Sequence, residues 1–226
     1  VASFVRFFPE QLAPQGTLRI DAGLDPGLSL SRAVLATNIS NRPLPKIGVI
    51  ENVSANIQLE HREIRIEEIS AILGGESILV TGLLDVSQDR LRQGFPGLAL
   101  SVKGTNVPLA RNPDVILRSD LDLLISNAAT NPPVISGTVN LQDSVLLQDI
   151  ATLVPGRVAT PSRRPPYFSV EQDPLDEWLL NLRVRGVNFM RVRSPFFQGR
   201  VSANFHVTGT LEEPMALGEA TITTGR

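Results

Sequence analysis

Val115-Ile116-Leu117-Arg118-Ser119-Asp120-Leu121-Asp122-Leu123-Leu124-Ile125 is the stretch that decides the fold. Val115, Leu117, Leu121, Leu123 and Ile125 oppose Arg118, Asp120 and Asp122 at a period of two, which calls for a strand with one dry and one wet side. Val201, Ala203, Phe205 and Val207 against Ser202, Asn204, His206 and Thr208 repeat it. Upstream, Ile47, Val49, Val53, Ala55, Ile57 and Leu59 are expected on one face, with Glu51, Ser54, Asn56 and Gln58 mostly on the other. That segment is a long strand or a strand with a bulge.

The same period spreads over most of the chain. Leu18 and Ile20, then Leu28 and Leu30, then after a slip Val34 and Ala36, form strands broken at Asp25-Pro26-Gly27 and Asn41-Arg42-Pro43. Glu60-His61-Arg62-Glu63 turns into Ile64, Ile66 and Ile69, and Gly74-Gly75 turns into Ile78 and Val80, as in a meander of antiparallel hairpins. Two short helices are expected, one carrying Phe4, Val5, Phe8 and Leu12, the other running from Leu146 to Val154 before Pro155-Gly156. Pro161, Pro165 and Pro166 belong to an irregular loop taken over 155–177. A weak repeat puts an aliphatic residue two before a glycine at a strand end, in Val80-Thr81-Gly82, Val102-Lys103-Gly104, Ile135-Ser136-Gly137 and Val207-Thr208-Gly209. The fold class expected is mainly β, one continuous elongated domain over 1–226.

Composition narrows the partners. Hydrophobic residues make up 42% of the chain but aromatics only 5%, so the buried side is aliphatic and suits alkyl chains better than sugars or bases. The 21 basic and 23 acidic residues leave a formal charge of -2, without the electrostatic footprint of a nucleic-acid binder. The lack of cysteine excludes disulfides, thiol catalysis and thiolate metal sites. No stretch approaches the ~18 to 20 apolar residues of a membrane-spanning helix. The start at Val1-Ala2-Ser3-Phe4, and the alternation from Glu219 to Arg226 with no closing turn, create the expectation of a piece of a longer chain.

Groups for catalysis do not converge. His61 stands in a charged turn and His206 on the polar side of a strand. Asp120 and Asp122 share a strand face and could be paired acids or calcium ligands, but a solvated face accounts for them more simply. Asp173, Asp176 and Glu177 beside Trp178 are one local cluster, too close in sequence to flank a bound sugar as a glycosidase pair, and a polar loop whose Trp packs on the end of a sheet accounts for them. Gly74-Gly75 lacks the lysine and helix start of a phosphate loop. Arg183, Arg185, Arg191, Arg193 and Arg200 lie near Val184, Phe189, Phe196 and Phe197. They face either a lipid headgroup or partner surface, or solvent as guards of exposed strand edges. The expectation is no enzyme, no cofactor and no metal.

Gly209-Thr210-Leu211-Glu212-Glu213-Pro214-Met215-Ala216-Leu217-Gly218-Glu219-Ala220 pairs a Gly-Thr strand end with a proline-bearing turn and a strand with an early glycine. Asp120-Leu121-Asp122-Leu123 through Pro133-Val134-Ile135-Ser136-Gly137-Thr138-Val139 has the same parts, with Gly-Thr after the proline. Together with Ile69-Ser70-Ala71-Ile72-Leu73-Gly74-Gly75 and Ile78-Leu79-Val80-Thr81-Gly82, these phrases resemble the TamB family of translocation and assembly subunits, among the AsmA-like bridge proteins. The resemblance covers most of the chain from Gly16 onward. It implies an antiparallel meander curled into a U-shaped, β-taco-like trough, in a periplasmic protein anchored to the inner membrane by a missing N-terminal segment. It further implies phospholipid transport between the inner and outer membranes, as part of cell-envelope biogenesis. Phospholipid acyl chains would be the ligand and an outer-membrane β-barrel of the TamA type the partner. The alternative is a scaffold that assists outer-membrane β-barrel assembly or secretion by strand pairing. For lipid transport the expected groove lining is Ile47, Val49, Val53, Ile57, Leu59, Leu117, Leu121, Leu123, Ile125, Val201, Phe205 and Val207.

Overall fold

Alternation at every second residue hides one side of a chain and hydrates the other when strands lie side by side. The computed structural model describes residues 16–24, 30–39, 42–44, 48–60, 62–87, 97–111, 115–127, 131–147, 170, 174–193 and 198–224. They form β1 (Gly16–Leu24), β2 (Leu30–Ile39), β3 (Arg42–Leu44), β4 (Gly48–Glu60), β5 (Glu63–Leu73), β6 (Glu76–Asp85), β7 (Gly97–Arg111), β8 (Val115–Ser126), β9 (Val134–Leu146), β10 (Leu179–Arg193), β11 (Gln198–Gly209) and β12 (Pro214–Thr224).

All twelve belong to one sheet, in the order β1-β2-β4-β5-β6-β7-β8-β9-β10-β11-β12, with β3 paired to β4 off that path. The nine strands from β4 to β12 are its continuous body. Its first and last strands do not pair, so the sheet is open and not a barrel. No helix occurs among the described residues. The helix expected on Phe4, Val5, Phe8 and Leu12 lies outside them, as does most of the one from Leu146 to Val154, whose first residue closes β9. Pro161, Pro165 and Pro166 lie outside them too.

The meander is broken once. β9 and β10 pair in parallel, from Leu179↔Val134 to Val192↔Leu146, whereas every other pairing is antiparallel. A parallel neighbour requires the chain to return to the end where it started, over a dozen or more residues. The interval 147–178, which includes the proline-rich stretch, separates the two strands in sequence. Its end is tied to the β11–β12 turn: Leu211 N donates to Trp178 O at 2.9 Å and Glu212 N to Asp176 O at 3.3 Å.

Gly74 and Gly75 close the β5–β6 hairpin as a two-residue turn, at φ 58° and 93°, which suits glycine at both positions. The other repeat glycines are not all at strand ends as expected. Gly209 ends β11, but Gly82, Gly104 and Gly137 lie inside β6, β7 and β9. Gly137 explains why glycine is required there. At φ 129°, a Cβ on it would come within 2.2 Å of the Asp122 carbonyl oxygen on β8.

A band of bulges crosses the sheet. Asn106, Asp143 and Asn188 have positive φ, and the register shifts beside them in the pairings from β7 to β11. Asn and Asp tolerate the left-handed conformation better than other side-chain-bearing residues, so they are fit residues for this task. Asp120 staples the band: its Oδ1 accepts from Asn106 N at 2.8 Å, and its Oδ2 accepts from Gln142 Nε2. Arg118 adds an ion pair to Glu76 at 3.2 Å, and Asn106 Nδ2 donates to the same carboxylate at 2.8 Å. Replacing Asp120 by alanine leaves the bulge N–H without its acceptor and is expected to cost about 2 kcal/mol, read as a lower urea midpoint with unchanged slope.

Candidate functional site

Residues paired across neighbouring strands point to the same side, so the register shows which side chains share a face. From Leu123 one ladder runs through Val102, Val80, Ile69 and Ala55 in one direction, and through Gly137, Leu182, Val207 and Ala216 in the other. A second passes through Ile57, Ile66, Gly82, Leu100, Ile125, Ile135 and Leu180. A third holds Ala71, Ile78, Gly104, Leu121, Val139, Val184, Phe205 and Gly218. Three adjoining aliphatic rows thus cross the sheet on one side.

The sheet brings together six of the groove residues expected from sequence: Leu123 and Val207 share the first row, Ile57 and Ile125 the second, Leu121 and Phe205 the third. All six are half-buried. Val53 is half-buried as well, next to the bulge at Asn52. That bulge resets the parity of β4, so that Ile50, and not Val49, stands in register with Leu73. Leu59 pairs with Ile64, and Ile47 lies outside the described residues. Leu117 and Val201 lie across the bulge band, paired with Ala110 and Met190. Val80, Val102, Leu100, Leu180, Leu182 and Val184 join the rows although they were not among the expected lining. The alternation Leu180, Leu182, Val184 against Asn181, Arg183, Arg185 was the signal that could have found three of them.

Leucines on the two faces differ in exposure. On the polar side Leu79, Leu83 and Leu124 are 38, 39 and 48% exposed, whereas Leu100, Leu121 and Leu123 on the aliphatic side are half-buried. Side chains converge on a concave surface and splay on a convex one, so the aliphatic side is the inner side of the curl. β4 also touches β7 although β5 and β6 lie between them. Three steps of a flat sheet would separate those strands by about 14 Å.

Along the bulge band the inner side is filled. Val107, Ser119, Ser144 and Val192 are at most 2% exposed, and Phe189 and Ala110 are buried beside them. Small residues fit where strands bend inward, since Gly104 and Gly186 leave no room for a Cβ beside Val107 and Phe189. The three rows lie to one side of this packed floor; most of their members are half-buried, while Ala55, Ile66, Val139 and Leu180 are buried.

Polar candidates are engaged in structural work. Asp120 holds the bulge, and Asp176 Oδ1 accepts from Glu177 N at 3.0 Å in the turn before Trp178. His206 Nε2 lies 2.8 Å from Asn181 Oδ1. His61 and Asp173 lie outside the described residues, and among those described no group of three metal-binding side chains converges. Comparisons with protein-family models, with curated proteins and with solved structures find no match for this chain.

Proposed function

We propose that the concave aliphatic face is a groove for phospholipid acyl chains, and that the protein carries lipid between the inner and outer membranes as part of envelope biogenesis. The observation that carries this reading is the partial exposure of most residues in three adjoining aliphatic rows over which no second layer lies among the described residues. A sheet built only to hold itself together would bury such rows against a partner layer. A sixteen-carbon tail in water stands on the order of 12 kcal/mol above one in an apolar setting. A continuous aliphatic strip removes most of that barrier without any chemical step. The nine strands from β4 to β12, eight steps of ~4.8 Å, extend such a strip over roughly 38 Å.

Mass spectrometry of protein purified without detergent is expected to detect phospholipid. A photoreactive residue at Leu123 or Phe205 is expected to crosslink to it. Absence of lipid in both assays would remove the proposal.

One observation favours a second reading, a scaffold that pairs with strands of outer-membrane β-barrel clients. β12 is an edge strand of eleven residues with Met215, Leu217 and Ile222 60, 71 and 55% exposed, and such an edge can template another strand. Successive residues of an edge turn their N–H groups alternately inward and outward. Proline tried at Ala220 and at Thr221 therefore removes an outward donor in one of the two variants. Under this reading that variant loses client binding and keeps its lipid.

A further inference from the structure

β10 lies inside the sheet, between β9 and β11, so its arginines do not guard an exposed edge. On the polar face Arg183 and Arg185 occupy alternate positions of β10. Asn140 of β9 and Asn204 of β11 stand directly in register with Arg185, one on each side. Beyond them β10 bulges: between the pairs Gly186↔Ala203 and Met190↔Val201 it holds Val187, Asn188 and Phe189 against Ser202 alone. Val187 is pushed out to 84% exposure, and Asn188 N donates to Ser202 Oγ at 2.8 Å.

Beside this bulge lies an open cavity of about 790 Å³, with Arg183, Arg185, Asn140, Gln142, Asn188 and Asn204 in its wall. Leu141, Gly186, Phe189 and Ala203 line it as well, so the cavity lies at the bulge itself, where the polar residues of β9, β10 and β11 meet the packed floor. Asp143 is the one carboxylate that lines it, against two guanidinium groups. Among the described residues neither Arg183 nor Arg185 has a carboxylate within ion-pair range. Arg185 Nε donates to Asn140 Oδ1 at 3.0 Å, which orients the guanidinium and leaves its terminal nitrogens available.

Two positions apart on one strand, the arginine Cα atoms are separated by roughly 7 Å. Side chains of that length can close on one anion between them. Guanidinium forks match the oxygen pairs of a tetrahedral oxyanion, and the flanking amides supply neutral donors to its remaining acceptors. We propose that this cavity binds a phosphate group, either free or as the headgroup of an anionic phospholipid. The inference stands apart from the acyl-chain reading, because it rests on the arginines and amides around the β10 bulge and not on the three aliphatic rows.

Inorganic phosphate titrated into the labelled protein, followed by backbone amide shifts, is expected to move Asn140, Asn188 and Asn204 in a saturable way. R183Q/R185Q is expected to weaken that response at least tenfold. R62Q/R65Q, which removes the same charge from exposed positions outside the cavity, leaves it unchanged. Flotation with phosphatidylglycerol and with phosphatidylcholine vesicles separates the sources. Binding to the anionic vesicles that R183Q/R185Q abolishes assigns a lipid headgroup, and phosphate binding without vesicle binding assigns the free ion. The proposal is overturned if neither probe binds, or if both double variants weaken binding equally. Equal urea midpoints establish that the variants fold, and crosslinking from Leu123 reports separately on acyl chains.

Discussion

Leu123→Glu is expected to empty the protein of co-purified lipid while Leu124→Glu, one residue away, leaves the lipid in place. Leu123 sits half-buried in the middle of the first aliphatic row, flanked in register by Val102 and Gly137. Leu124 is on the polar side, in register with Ser101 and Ser136, and 48% exposed. A carboxylate at 123 removes the aliphatic contact and must lose water whenever a tail lies over it. A penalty of about 2 kcal/mol corresponds to roughly thirtyfold weaker binding. Quantitative lipid mass spectrometry on both variants reads the difference. Equal lipid content in the two would mean that the tails lie elsewhere. The pair carries the same added charge, so net charge and solubility cancel from the comparison.

Gly137→Val is expected to be among the most destabilising single replacements in the aliphatic rows. The added Cβ would meet the Asp122 carbonyl oxygen at 2.2 Å and Leu123 Cα at 3.0 Å, both backbone atoms that cannot step aside without opening the β8–β9 ladder. The φ of 129° is also one that a β-branched residue rarely adopts. Clash and strain together amount to on the order of 3 to 5 kcal/mol, a large part of the stability of an ordinary domain. Gly82→Val is expected to behave alike, since its Cβ would lie 2.1 Å from the Ala99 carbonyl oxygen. Thr138→Val, next to Gly137 on the polar side, is expected to change the urea midpoint little. A Gly137→Val protein as stable as the parent would mean that β8 and β9 do not approach as described.

Much of the local pattern was readable in the residues. The alternations in β8 and β11, the turn at Gly74-Gly75 and the reversal between Glu60 and Glu63 depend on neighbours in the chain, and all appear in the sheet. A bulge was one of the two forms expected for the 47–59 segment, but its place, and the whole band from β7 to β11, were harder to read. At Asn52 and Asn106 the period slips by one residue, and a single asparagine in the left-handed region leaves almost no mark on an alternating sequence. Val49 shows the consequence, since the register gives Ile50 the place opposite Leu73.

The candidate site divides in the same way. Leu121, Leu123, Ile125, Phe205 and Val207 were identified by period alone, but their assembly into three shared rows depends on pairings across the whole sheet. The arginines of β10 were legible as a cluster, yet edge guards and a pocket wall look identical until the strand order is known.

By itself the sequence determined that this protein is made of strands with one aliphatic and one polar side, because successive Cβ atoms point to opposite sides of any extended chain. Only the tertiary structure decided the parallel junction of β9 with β10, the band of bulges and the interior place of the arginines. Those depend on which distant strands pair and in what register, a choice made by contacts between segments that no local period encodes.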